Sequence, residues 1–131
     1  MMHADTADEK RRLIYRTVTG RDLDELVDPD PDIAAFLRWL VENGYLFARR
    51  IGRRRFMAFG LTATGSEIVV GQIGDKVGWS QQWMFKGLVD GLDAFAAFDP
   101  VADAEPSGWV RHMPSCRRRE DGDPARETIR P

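Results

Sequence analysis

Residues 45–73 read YLFARRIGRRRFMAFGLTATGSEIVVGQI, and there the hydrophobic period changes from about four residues to two. Tyr45 to Ile51, Arg54 to Thr62 and Glu67 to Ile73 are runs of β-branched, aromatic and alternating residues, the composition of half-buried strands. Gly52 breaks the first run from the second, and Thr64-Gly65-Ser66 breaks the second from the third. A three-stranded antiparallel meander is therefore expected. Its middle strand would put Met57, Phe59 and Leu61 on one face and Phe56 with Ala58 on the other, so both faces need cover.

Upstream of the meander the pattern is helical. Leu13, Ile14 and Val18 suit a short helix over residues 8–18, although the β-branched residues near Thr17 to Thr19 also permit a strand. Thr19 can cap a second short helix from Arg21 to Val27. Asp30-Pro31 opens a third, which Gly44 ends, with Ile33, Phe36, Leu37, Leu40 and Val41 along one face. Downstream, Ser80 would cap a long amphipathic helix to Phe98, with Met84, Phe85, Leu88, Val89, Leu92, Phe95 and Ala96 in its apolar stripe. Gly87 and Gly91 at the edge of that stripe would permit close backbone approach.

The predicted class is thus α+β. One domain covers residues 1–99: a helical segment at 1–44, the meander at 45–73 and the helix at 80–98, with the early helices on one side of the sheet and the late helix on the other. Residues 100–131 are rich in proline and arginine and poor in apolar side chains, so no regular structure is expected there. Trp109 could pin this tail to the body.

Composition narrows the function classes. The 131 residues are enough for one core, and a net charge of −2 provides no global field for nucleic acid. Any anion site must be local. Sixteen of the nineteen basic residues are arginines, able to fork onto phosphate or carboxylate. A single cysteine excludes an intrachain disulfide and suits a reducing compartment. With no long apolar run and a polar, acidic start, the expected location is cytoplasmic, away from membranes.

Two resemblances follow from particular residues. The helices ending at Leu40, then Gly44-Tyr45-Leu46, Arg49-Arg50, Arg53-Arg54-Arg55 and Leu61-Thr62-Ala63-Thr64-Gly65, resemble the recognition helix and wing of a winged helix-turn-helix. This implies an alternative fold, a winged helix with an extra helix. Gly78-Trp79, Gln82-Trp83, the closing PheAspPro and the tail resemble a group of uncharacterised proteins of phages and other mobile elements. In the tail the likeness lies in Glu105-Pro106, Gly108-Trp109, Arg111-His112, Arg117-Arg118-Arg119 and Gly122-Asp123-Pro124-Ala125-Arg126-Glu127. It covers about the last two thirds of the chain and implies a setting but no activity.

Candidate sites are of two kinds. Arg49, Arg50, Arg53, Arg54 and Arg55 crowd one hairpin end, with Arg38 on the preceding helix, and such a cluster can hold phosphates. A charged hairpin end also protects strand edges from pairing, and Asp28, Asp30 and Asp32 would repel phosphate nearby. Trp39, Trp83 and Trp109, with Arg117, Arg118 and Arg119, are candidate anchors for a protein partner. Trp83 would lie on the polar side of its helix, either as an interface anchor or beneath the tail or a strand edge. Catalytic chemistry is not expected: His112 and Cys116 form only a pair where structural zinc needs four ligands, and neither has a positioned base. No cofactor or metal is implied. Two functions fit: a non-enzymatic nucleic-acid-binding accessory or regulatory protein of a mobile element, or a small inhibitor or adaptor of anti-defence type acting on a host protein. The wide apolar arc of the last helix also allows a homodimer.

Overall fold

The computed structural model describes residues 3–74, 79–110, 118–120 and 123–128. Helix α1 spans His3–Thr19, a 3-10 turn spans Leu23–Leu26, and α2 spans Pro31–Glu42. Strands β1 (Phe47–Gly52), β2 (Arg55–Leu61), β3 (Ser66–Gln72) and β4 (Trp79–Phe85) follow, then α3 (Leu88–Ala97) and the short strands β5 (Arg118–Glu120) and β6 (Asp123–Thr128). The class is α+β, built on a four-stranded antiparallel sheet in the order β1-β2-β3-β4.

The sheet has one strand more than expected. The segment assigned to the start of a long helix is β4, and the helix begins only at Leu88. Backbone pairing explains the difference. Without β4, the N–H and C=O groups of β3 that face away from β2 would lack partners, so a strand there satisfies a row of buried backbone. Trp83 and Phe85 then alternate with Gln82 and Met84, and Ile68 lies opposite Trp83. Gly87, in extended backbone, separates strand from helix, and its carbonyl accepts the Ser66 hydroxyl at 2.7 Å.

Each face of the sheet is covered by different helices. On one, Tyr15 of α1 and Leu92 and Phe95 of α3 pack on Phe47, Met57, Phe59, Ile68, Val70, Trp83 and Phe85. On the other, Ile33, Leu37 and Leu40 of α2 pack on Ala48, Phe56, Ala58, Val69 and Ile73. The expected division of helices is therefore corrected: α1 shares a side with α3, and α2 alone takes the opposite side. The alternation read from β2 holds for Met57, Phe59, Phe56 and Ala58, whereas Leu61, at the strand end, is exposed.

Local chemistry sets the helix boundaries. The Asp30 carboxylate accepts the N–H groups of Asp32 and Ile33 at 2.9 and 3.4 Å, Pro31 occupies the first turn of α2, and Gly44 takes φ +120° beyond its end. The first helix is longer than expected and the second shorter. Asp22, not Thr19, caps the 3-10 turn by accepting the Asp24 N–H at 2.8 Å; the Thr19 hydroxyl donates to the Tyr15 carbonyl at 2.6 Å.

Beyond Pro100 the chain is more ordered than its composition suggests. Trp109 packs against the core and donates its indole N–H to Glu105 at 3.0 Å, and the Val110 N–H donates to the Met84 carbonyl on the outer edge of β4 at 2.9 Å. The expectation of an irregular tail is corrected again by β5 and β6, which pair antiparallel with Arg119 opposite Glu127.

Candidate nucleic-acid interface

The arginine-rich hairpin end is the turn between β1 and β2, and it is not a free wing. Along its whole length β2 pairs with β3 on the side away from β1. The tip is also tied to the end of β3: Ile73 N–H donates to the Arg54 carbonyl at 2.8 Å, and Arg54 Nη2 donates to the Ile73 carbonyl at 3.3 Å. Helix α2 lies along the sheet with its apolar face buried, so the winged-helix alternative does not describe this architecture.

The five hairpin arginines divide into two groups. Arg49 points into the α1–α3 side of the sheet and donates through Nη1 to the carbonyls of Phe95 and Phe98, each at 3.1 Å. Arg21 Nη1 reaches the intervening Ala96 carbonyl at 3.0 Å. Helix α3 carries no basic residue in its last turn, so these two distant arginines supply the donors and positive charge its C-terminus lacks. Burial pushes the Arg49 guanidinium below its ordinary value, while Tyr15 and Glu25 nearby oppose that shift. Glu25 accepts from Tyr15 Oη at 2.5 Å and from Arg21 Nε at 3.0 Å. Burial first, and then this hydrogen bond, push the Tyr15 hydroxyl well above its usual value.

Arg50 is committed on the opposite face. It forks onto Asp28, with Nε to Oδ2 at 2.9 Å and Nη2 to Oδ1 at 3.1 Å, and the Asp28 side chain retains only 8% exposure. Asp28 thus neutralises one hairpin arginine and is scarcely accessible to repel an approaching phosphate. Its role was not legible because the partners lie 22 residues apart and the run of aspartates around it suits helix capping equally well.

Arg53, Arg54 and Arg55 are exposed, as is Arg38 on the outer side of α2. Among the described residues, Arg38, Arg53 and Arg55 have no side-chain partner, whereas Arg11, Arg12, Arg16, Arg21, Arg49, Arg50 and Arg54 all hold acids or carbonyls. Among the described residues, the uncommitted arginines of the body are therefore at the hairpin tip and on α2.

The tryptophans also separate. Trp83, 2% exposed, belongs to the core; its expected place on a polar helix face is corrected because its segment is strand β4. Its indole N–H has no hydrogen-bond partner among the described residues. Trp109 is partly buried against the same core. Trp39 alone of the three is an exposed large aromatic, half exposed and stacked on Phe36 at 6.0 Å and 29° between planes. Phe36 in turn meets Phe56 at 5.5 Å, a row whose only advance signal was the i, i+3 spacing of Phe36 and Trp39.

A second polar pair lies on the α2 side of β3 and β4. The Gln82 amide donates to the Glu67 carboxylate, and burial pushes that carboxyl above its ordinary value although the hydrogen bond opposes it. Among the described residues no group of His, Cys, Asp and Glu is arranged to hold a metal ion, and no helix is long and apolar enough to cross a membrane. Arg117, His112 and Cys116 lie outside the described residues; Arg118 and Arg119 form part of β5. No family model, curated protein or solved structure matches the chain.

Proposed function

We propose that the protein is a non-enzymatic nucleic-acid-binding accessory or regulatory factor that contacts phosphates through its β1–β2 tip. The carrying observation is the division among the described arginines: seven, Arg54 at the tip among them, are held by internal partners, while Arg53 and Arg55 at the tip and Arg38 on α2 are not. Exposed, uncompensated guanidinium groups bind phosphate with little prior pairing to break. The original set of hairpin arginines is narrowed accordingly, with Arg49 and Arg50 holding the scaffold. A role in a phage or other mobile element is supported by the tail motif.

An inhibitor or adaptor of a host protein has less support in the geometry. Of its three tryptophan anchors, Trp83 and Trp109 pack with the core.

The test is fluorescence anisotropy of labelled DNA titrated with the protein at low and near-physiological salt, beside an Arg53→Ala/Arg55→Ala variant. Binding should weaken with salt, and the variant should lose affinity and about 0.9 of slope per phosphate contact on B-DNA. Salt-independent binding, or a variant that binds like the parent, would remove the tip from the interface.

A further inference from the structure

We propose that Glu67 is a recognition site for an arginine side chain of a protein partner, received on the part of the sheet that α2 leaves open. The site goes beyond phosphate contact at the hairpin tip and does not depend on it. On this face α2 packs over Ala48, Phe56, Ala58, Val69 and Ile73, and along β3 the buried cluster reaches Val69 and goes no further toward Ser66. Glu67 comes next on β3, beside Gln82 and Met84 of β4, and all three remain partly exposed.

Glu67 is distinguished first by the charge it lacks. Asp28 is paired with Arg50 and Glu25 with Arg21, whereas Glu67 accepts only from the neutral Gln82 amide. Among the described residues no cation pairs with it; Lys86, one residue beyond β4, is exposed and makes no such contact. A carboxylate withdrawn from water without an opposite charge is costly, and a bound cation offsets that cost. Burial accordingly raises the carboxyl above its ordinary value.

The neighbouring geometry suits a guanidinium. Gly60 lies directly opposite Glu67 in the β2–β3 ladder. A Cβ there would lie 3.1 Å from Tyr45 Cδ1 and 3.8 Å from Glu67 Oε2, so ring edge and carboxylate oxygen flank one point above the strand. A guanidinium can stack on such a ring while it forks onto the oxygens. Gln82 takes one acceptor position on Oε1, and a carboxylate offers about four, so Oε2 can still accept. Arginine suits a half-buried site better than lysine because its head group is more weakly hydrated and gives up less on entering. One carboxylate, one ring and the Met84 side chain cover too little of a free small cation to hold it tightly, so the group belongs to a larger partner.

The experiment titrates the isotope-labelled full chain, at neutral pH and constant ionic strength, with a capped pentapeptide carrying a central arginine, and with peptides carrying lysine or citrulline in its place. Nuclear magnetic resonance follows the Gln82 side-chain amide, and thermal melting confirms that each variant is folded. The arginine peptide should shift the Gln82 signals saturably, the lysine peptide should bind roughly 3- to 10-fold more weakly, and the neutral citrulline peptide should give no shift. Glu67→Gln should weaken binding about 10-fold or more and Tyr45→Leu about 2- to 5-fold, while Arg53→Ala/Arg55→Ala should bind the peptide like the parent. A Glu67→Gln variant that binds like the parent, a citrulline peptide that binds as well as the arginine peptide, or no saturable shift at Gln82 overturns the site. Lysine binding as tightly as arginine overturns the guanidinium as its occupant. Phosphate contact at the tip stands or falls separately, by DNA titration.

Discussion

At the scale of single residues, one side-chain type performs two jobs, and contact rather than sequence position separates them. Arg49 and Arg53 belong to the same basic cluster, but Arg49 caps α3 from within and Arg53 faces solvent. Arg49→Ala should therefore lower unfolding free energy by about 1–3 kcal/mol in urea denaturation, because it strands carbonyls at a partly buried helix end. The Arg53→Ala/Arg55→Ala variant should stay within about 0.5 kcal/mol of the parent. The tryptophans diverge in the same way. Trp83→Ala should cost about 3–5 kcal/mol through the cavity it leaves, against about 0.5–1.5 kcal/mol for Trp39→Ala, measured by the same denaturation. The sequence identified these residues as candidates but not their allegiance. Arg49 meets its partners 46 and 49 residues later, and no local pattern encodes such contacts.

At the scale of elements, the capped helix α2 and the alternating strand β2 were legible because their signals are local: Asp30-Pro31, Gly44 and a two-residue period. The β4–α3 boundary was not. Apolar residues from Met84 to Phe98 satisfy a helical stripe, and only pairing with β3 makes the first part extended. Of the two glycines expected to permit close approach, Gly91 does so over the sheet, whereas a Cβ at Gly87 would meet nothing within 4 Å. A Cβ there would lie 2.1 Å from Ser66 Oγ and 2.9 Å from Phe59 Cε1. Gly91→Ala should thus destabilise the protein by about 1–3 kcal/mol despite alanine's better helix propensity. Thermal melting of Gly91→Ala with Ser66→Ala, which removes the nearest atom, should recover part of the loss.

At the scale of the whole molecule, two helices on one face and a single helix on the other leave a partly buried acid on the less covered side. Burial raises the Glu67 carboxyl above its unfolded value near 4.5, so the folded protein binds that proton more tightly. Its contribution to stability is full below the unfolded value and is lost as pH rises through the higher folded value. Glu67→Gln, which keeps an acceptor for Gln82, should flatten this part of the stability–pH curve and stabilise the protein at neutral pH, as denaturation at several pH values would show. This dependence arises from burial, which composition does not encode.

The order β1-β2-β3-β4 carries a kinetic consequence. Every ladder joins neighbours in sequence across a short connection, so the sheet can zip from its turns without closing a long loop. The pairing of α1 with α3, and the reach of Arg49 to the end of α3, must await chain made much later. Mutations in the β2–β3 ladder should therefore slow refolding, whereas Arg49→Ala should mainly hasten unfolding, a difference visible in the two arms of a stopped-flow chevron.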